Sequence, residues 1–178
     1  MIFHETELPG VMLIEFELRE DERGWFTRSY CRKEFEDAGV DFVVAQCNLS
    51  FNRSKGTLRG MHLQRDPFAE AKVVGCDRGA AFDVVVDLRP DSPTHAKWIA
   101  VELSQDRPFA LFVPAGLAHG FQTLADDTLI TYQMSEYYEP SAAAGVRWDD
   151  PAFGIEWPLP VSEISEKDAS YADYGGAA

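Results

Sequence analysis

The stretch Thr57–Gln64, TLRGMHLQ, sets an arginine, a histidine and a glutamine in a run that otherwise reads as a buried strand. His62 there could be a metal ligand, a catalytic base, or a core histidine bonded to a backbone carbonyl. Spacing suggests the first role. Gly56 precedes His62 by a G-x5-H interval, and Pro114-Ala-Gly116-Leu-Ala-His119 supplies P-x-G-x-x-H further on. These are two halves of a pattern with which a jelly roll can bind metal. The position two beyond His62 that would complete the first half is Gln64, and Glu70 is a possible third ligand. Glutamine is a poor ligand for the softer divalent metals. The pattern is therefore half present, and neither metal nor cofactor is expected.

Acid–base chemistry has more candidates. Residues two apart on a strand share a face. His62 then shares its face with Gly60 and Gln64, Lys72 with Val74 and Cys76, and Tyr132 with Ile130 and Met134. A lysine or tyrosine turned into a barrel needs a polar partner or a ligand, since an unpaired buried polar group costs about 1–3 kcal/mol. The plainer alternatives are that Lys72 snorkels outward and that Tyr132 buries its ring with a wet hydroxyl. Ser165-Glu-Lys-Asp168 has capping-box spacing. Asp168 is thus either a helix-capping acid or a carboxylate that orients and charges a histidine, and sequence leaves both open. Arg23 and Arg59 each sit beside a glycine, in ERGWF and LRGMH. Arginine suits bidentate phosphate contacts, with a surface ion pair as the alternative for either. Phe26, Tyr137 and Tyr138 could stack on a nucleobase or simply pack in the core.

These residues must be held by a folded scaffold, and composition bounds its kind. A chain of 178 residues with 46% hydrophobic and 12% aromatic content suits one globular domain spanning positions 1–178. The net charge of −14, from 16 basic and 30 acidic residues, argues against general nucleic-acid or anionic-membrane binding. A local cluster of arginines can still make a positive pocket. Cys31, Cys47 and Cys76 are odd in number and lack C-x-x-C spacing, which disfavours a disulfide framework or structural zinc. No apolar run approaches the ~20 residues of a membrane span, and MIFHETELPG lacks the features of a signal peptide. A reducing cytoplasm is the expected location.

Along the chain, short apolar or β-branched runs alternate with turn signals. VMLIEFEL (11–18) places Met12, Ile14, Phe16 and Leu18 on one face, and GWFTRSY (24–30) places Phe26 and Arg28 on one face. TLRGMHLQ, AKVVGCD, AAFDVVVDLR, KWIAVELS, FALFVPAG, AHGFQTLA and TLITYQMSEYY follow. CRKEFEDAG (31–39) is the one early helix candidate, with Gly39 as its stop, and a short helix is expected near 163–173. With no helices between strands, an antiparallel sandwich, jelly roll or barrel is predicted. DDPAFGIEWPLP is loop-like, and the terminal GGAA is expected to be disordered.

The order and spacing of RGWF, QCNLS, TLRGMH-Q, AKVV, AFDVVVDLR with DSPT, P-GLAHGF, YY-P, DDP-FGIEWP and SEKD resemble the dTDP-4-dehydrorhamnose 3,5-epimerases, cupin-fold enzymes of deoxysugar biosynthesis. The resemblance runs over nearly the whole chain. It implies an all-β cupin jelly roll with short peripheral helices, metal-free, usually a homodimer in which an N-terminal strand crosses to the partner. It implies His62 as the base that removes a proton next to a C4 ketone, Asp168 as its partner, Tyr132 as the proton donor on the opposite face, and Lys72 as the stabiliser of the enolate oxygen. Arg23, Arg59 and His119 would hold phosphates or sugar, with Gln46 and Asn48 nearby and Tyr138 stacked on the base. Phe26, Arg28 and Lys167 are further substrate-binding candidates, with an ion pair to an acid or a phosphate contact as the alternative for Arg28. A cation near the carbonyl stabilises an enolate without metal, and inversion needs a base and an acid on opposite faces.

Three positions depart from the pattern. Arg28 and Ala143 stand where the family commonly has glutamates, and Leu63 stands where it has a tyrosine after the histidine. A carboxylate can accept the N–H of thymine, whereas arginine only donates and would suit cytosine O2/N3 or guanine O6/N7. A base other than thymine, or a different 4-keto sugar, therefore stays open. So do epimerisation at C3 alone, ketoisomerisation, and a non-catalytic sugar-nucleotide-binding cupin.

Overall fold

The computed structural model describes residues 1–175; the last three positions of the GGAA run lie outside the described residues. Two antiparallel sheets carry most of the chain. The first has six strands in the order β1 (Ile2–Glu5), β2 (Met12–Glu15), β10 (Phe109–Val113), β7 (Lys72–Arg78), β12 (Thr128–Met134) and β5 (Gln46–Asn52). The second has five, in the order β13 (Ala143–Gly145), β6 (Leu58–Gln64), β11 (Leu117–Thr123), β8 (Ala80–Asp87) and β9 (Trp98–Ser104). A separate ribbon pairs β3 (Arg19–Asp21) with β4 (Gly24–Phe26). This is the expected jelly roll, with two short helices at its periphery.

Strand alternation builds the core. Val74, Cys76, Leu111, Val113 and Ile130 of the first sheet meet Ala81, Val85, Leu103, Leu117 and Phe121 of the second. Strand β8 reads as a long apolar run because both its faces are covered: Val84 and Val86 point outward, under Val146 and Phe153 of the C-terminal segment. On the outer face of the first sheet, α1 (Arg32–Asp37) and the segment after it bring Phe35, Val40 and Phe42 onto Ile14, Val73 and Phe112. Each such side chain contributes about 1.5–3 kcal/mol on full burial. Gly39, at φ +75°, ends α1 as its sequence position required. The three cysteines are unpaired. No helix of the described residues is long and apolar enough to cross a membrane.

Three local expectations need correction. The C-terminal helix α2 covers only Glu166–Ala169, one turn rather than 163–173. Strand β4 stops at Phe26, because the ribbon has no third strand to extend its pairing and the Thr27 hydroxyl donates instead to the Glu17 carbonyl, 3.0 Å. Phe26 and Arg28 therefore do not share a strand face. The third correction concerns His62. In the β6–β11 ladder His119 pairs with His62 but Phe121 pairs with Arg59, so Gly60 and Met61 together oppose Gly120. This is a β-bulge. Gly60 adopts φ +133°, and a Cβ there would lie 2.5 Å from the Gly120 Cα, so only glycine fits. The extra residue turns Arg59, rather than Gly60, to the same face as His62.

Candidate active site

A cavity of about 540 Å³ opens between the sheets, where β6 and β12 end and β5 and β7 begin. That volume suits a small organic ligand. His62 enters from β6 of one sheet; Lys72 and Tyr132 enter from β7 and β12 of the other. Their inward direction follows from register, because Lys72 lies opposite Met134 and Tyr132 opposite Val74 and Asn48. Gln46, Asn48, His119, Tyr138 and Lys167 also line the space.

Asp168 stands behind His62, its carboxylate Oδ1 2.7 Å from Nε2. The other oxygen accepts the Gly60 N–H at 3.2 Å, a contact the bulge provides. Of the two roles open to Asp168, its carboxylate takes that of histidine partner. Ser165 caps α2 by accepting the Asp168 backbone N–H at 3.1 Å, which leaves the carboxylate free to face the histidine. Burial pushes the Asp168 carboxyl up, but the bonds from His62 and Gly60 outweigh it and hold the group below the ordinary carboxylate value. An anion fixed at Nε2 favours the tautomer with its hydrogen there. Nδ1 is then left with a lone pair and no partner among the described residues.

Across the cavity, burial is the main cause that raises the Tyr132 phenol well above its usual value; the Asp83 charge adds to it and Arg59 opposes it. Tyr132 therefore keeps its proton. Lys72 is buried and pairs with Glu70, Nζ to Oε1 3.1 Å. It does not snorkel outward.

Asp83 was not among the expected site residues. It is fully buried on β8, and its two oxygens lie 2.8 and 3.0 Å from His119 Nε2. The His119 ring in turn meets Tyr132 edge-on at 6.0 Å. A signal was present in AFDVVVD, where alternation puts Asp83 on the same face as core Val85 and a buried carboxylate needs a partner. Gln64 also has a full account. Its amide donates to the Phe68 and Tyr137 carbonyls and accepts the Glu139 N–H at 2.7 Å, so it ties down the loop that carries Tyr138. The would-be metal ligands are engaged elsewhere: His62 with Asp168, His119 with Asp83, Glu70 with Lys72. Among the described residues no three side chains of the metal-binding types converge.

The remaining expected residues lie apart. Arg59 is exposed beside the cavity, donating to the Asn52 side chain at 2.7 Å. Arg23 pairs with Asp21 on the exposed β3–β4 ribbon, and Phe26 is 69% exposed there. Arg28 pairs with Glu34 of α1 at 2.5 Å and does not line this chain's own cavity.

A sequence model described as dTDP-4-dehydrorhamnose 3,5-epimerase matches residues 5–174. The chain belongs to this epimerase family. The family member from Sinorhizobium fredii is 44% identical over 171 residues, covering 96% of this chain and 88% of that protein. The one from Salmonella typhimurium is 41% identical over 172 residues, covering 96% and 93%. Among solved structures, the Bacillus anthracis epimerase with TDP and PPi bound superposes with a TM-score of 0.94 at 40% identity, covering 97% of this chain and 99% of that one. A 3'-monoepimerase from Streptomyces bikiniensis in complex with dTDP-quinovose superposes at 0.88 with 35% identity, covering 96% and 86%. A double mutant of that monoepimerase replaces a histidine and a tyrosine at the same sequence separation as His62 and Tyr132.

Proposed function

We propose that the chain epimerises a nucleotide-linked 4-keto-6-deoxy sugar at C3 and C5, converting dTDP-4-dehydro-6-deoxyglucose to dTDP-4-dehydrorhamnose. The observation that carries this reading is the opposition of a His62–Asp168 pair on one sheet to Lys72 and Tyr132 on the other, across one cavity. Nδ1 of His62 takes the proton alpha to the ketone. The Lys72 ammonium stabilises the negative charge that gathers on the carbonyl oxygen. Tyr132, protonated, returns a proton to the opposite face of the carbon. His119, Arg59 and Lys167 hold the anionic part of the substrate, and Tyr138 lies against the base. Thymine is the base that fits this reading, because the similar solved structures hold TDP and dTDP-quinovose.

Incubation with dTDP-4-keto-6-deoxyglucose in D2O, followed by NMR, tests the reaction. Deuterium at both C3 and C5 is expected. Deuterium at C3 alone would make the chain a monoepimerase, and none at either carbon would leave a non-catalytic binder.

We also infer a homodimer. Arg23, Phe26 and Arg28 stand away from the chain's own cavity, on or just beyond an exposed ribbon. A groove of about 1080 Å³ on the outer face of the six-stranded sheet is flanked by Trp25 and Leu49, exposed by 61% and 71%. Large exposed apolar side chains grouped in this way favour an interface. In the single chain β1 pairs with β2 of the same molecule, and the N-terminal arm is the segment a second subunit would take up. Sedimentation is expected to give twice 19.9 kDa; a fully active monomer at micromolar concentration would rule this out. Cytoplasmic residence belongs to the same reading and is supported by the three free thiols.

A further inference from the structure

Three residues beyond Asp168, the chain places Tyr171 against the proposed base. Its ring meets the His62 ring edge-on, with centroids 6.3 Å apart and planes at 68°. It rests on bare backbone: a Cβ at Gly145 would come within 2.5 Å of the Tyr171 Cζ, and Gly145 is the residue that pairs with His62 between β13 and β6. The small run Ala143–Gly145, noted above for its missing carboxylate, thus includes the seat of an aromatic ring. The Tyr171 hydroxyl is buried without a close hydrogen-bond partner among the described residues, with Lys167 the cation nearest to it, and its ring contacts hold it in place. The His62 side chain keeps 43% of its surface exposed while that of Asp168, behind it, keeps 6%.

We propose that Tyr171 is a positioning residue for the His62–Asp168 pair. Its ring shields the buried carboxylate from water and holds the imidazole in the orientation that turns Nε2 to Asp168 and leaves Nδ1 free. Helix α2 is a single turn, tied to β6 through the Thr57–Glu163 bridge and the Leu58 N–H to Glu163 carbonyl bond. An element that short does not shield a carboxylate by itself, and the ring beyond it supplies the missing cover.

This inference rests on His62 being the base, and the experiment keeps the two separable. Tyr171→Ala, Tyr171→Leu, Tyr171→Phe and His62→Asn are compared by steady-state kinetics, thermal melting and the two-bond 1H–15N spectrum of the His62 imidazole. Tyr171→Ala and Tyr171→Leu are expected to lower kcat about tenfold with KM within about twofold, and to replace the single Nε2–H tautomer by an exchange-averaged signal. Tyr171→Phe keeps the ring and is expected to retain kcat and the tautomer signature. A wild-type tautomer signal and kcat in folded Tyr171→Ala and Tyr171→Leu, with His62→Asn inactive, would overturn the role of Tyr171 alone. Full activity of His62→Asn would overturn the base assignment itself. If Tyr171→Ala melts below the assay temperature, Tyr171→Leu, which keeps apolar bulk, decides the matter on the same readouts.

Discussion

Replacement of His62 by asparagine lowers epimerisation, and deuterium exchange into substrate, by about 10³- to 10⁴-fold, the upper part of the range for general acid–base catalysis. Asparagine occupies much of the imidazole's volume and can still donate to Asp168, so fold and cavity survive. It has no lone pair of comparable basicity to present at the substrate carbon. Both C3 and C5 are expected to lose exchange together, because His62 is the base proposed for both. Binding of TDP stays within about threefold, since the residues proposed to hold the phosphates and the base are other than His62. NMR exchange rates measured beside a TDP titration check the prediction. A variant with more than a tenth of wild-type exchange would move the base elsewhere in the cavity.

How far this site was legible follows from what each residue's place depends on. Lys72 and Tyr132 were readable from strand alternation, because β7 and β12 are regular through those positions and a period of two fixes their face. His62 was readable as a polar residue in a strand, but its neighbours were not. The bulge at Gly60–Met61 adds one residue to the count, and nothing in a period-two pattern marks where it falls; only the two glycines, Gly60 and Gly120, facing each other hint at it. Asp168 looked ambiguous because a capping acid and a histidine partner leave the same sequence trace. In the structure the Ser165 side chain makes the cap with the Asp168 backbone N–H, and the carboxylate goes to the histidine and to the Gly60 N–H. Asp83 was missed although its pattern was visible, and Gln64 was read only for the ligand it failed to be, since its three loop bonds depend on a turn that sequence spacing does not describe. Arg23, Phe26 and Arg28 illustrate a different limit. In the proposed homodimer their place in a site depends on a second subunit, and no periodicity within one chain reports it.

Replacement of Lys72 by methionine is the other large effect. The enolate oxygen then develops its charge without a cation, and removing one such stabilising group costs about 10²–10³ in kcat. Arginine does not rescue it, because a planar fork delivers charge over a wider area than the compact ammonium that fits beside Glu70. The substitution has a second consequence that must be separated from the first. Lys72 and Glu70 are a buried pair at 3.1 Å, and the other Glu70 oxygen, also buried, lacks a partner among the described residues. Removing one member of a buried pair leaves an uncompensated charge, a loss of about 3–5 kcal/mol in stability. The double variant Lys72→Met/Glu70→Gln removes that charge and is expected to recover most of the melting temperature while kcat stays low. Tyr132→Phe makes a useful contrast: it removes the opposite-face donor but leaves base and cation, so solvent exchange persists while inversion is lost. Recovery of activity along with stability in the Lys72→Met/Glu70→Gln double variant would show that the ammonium serves the fold rather than the enolate.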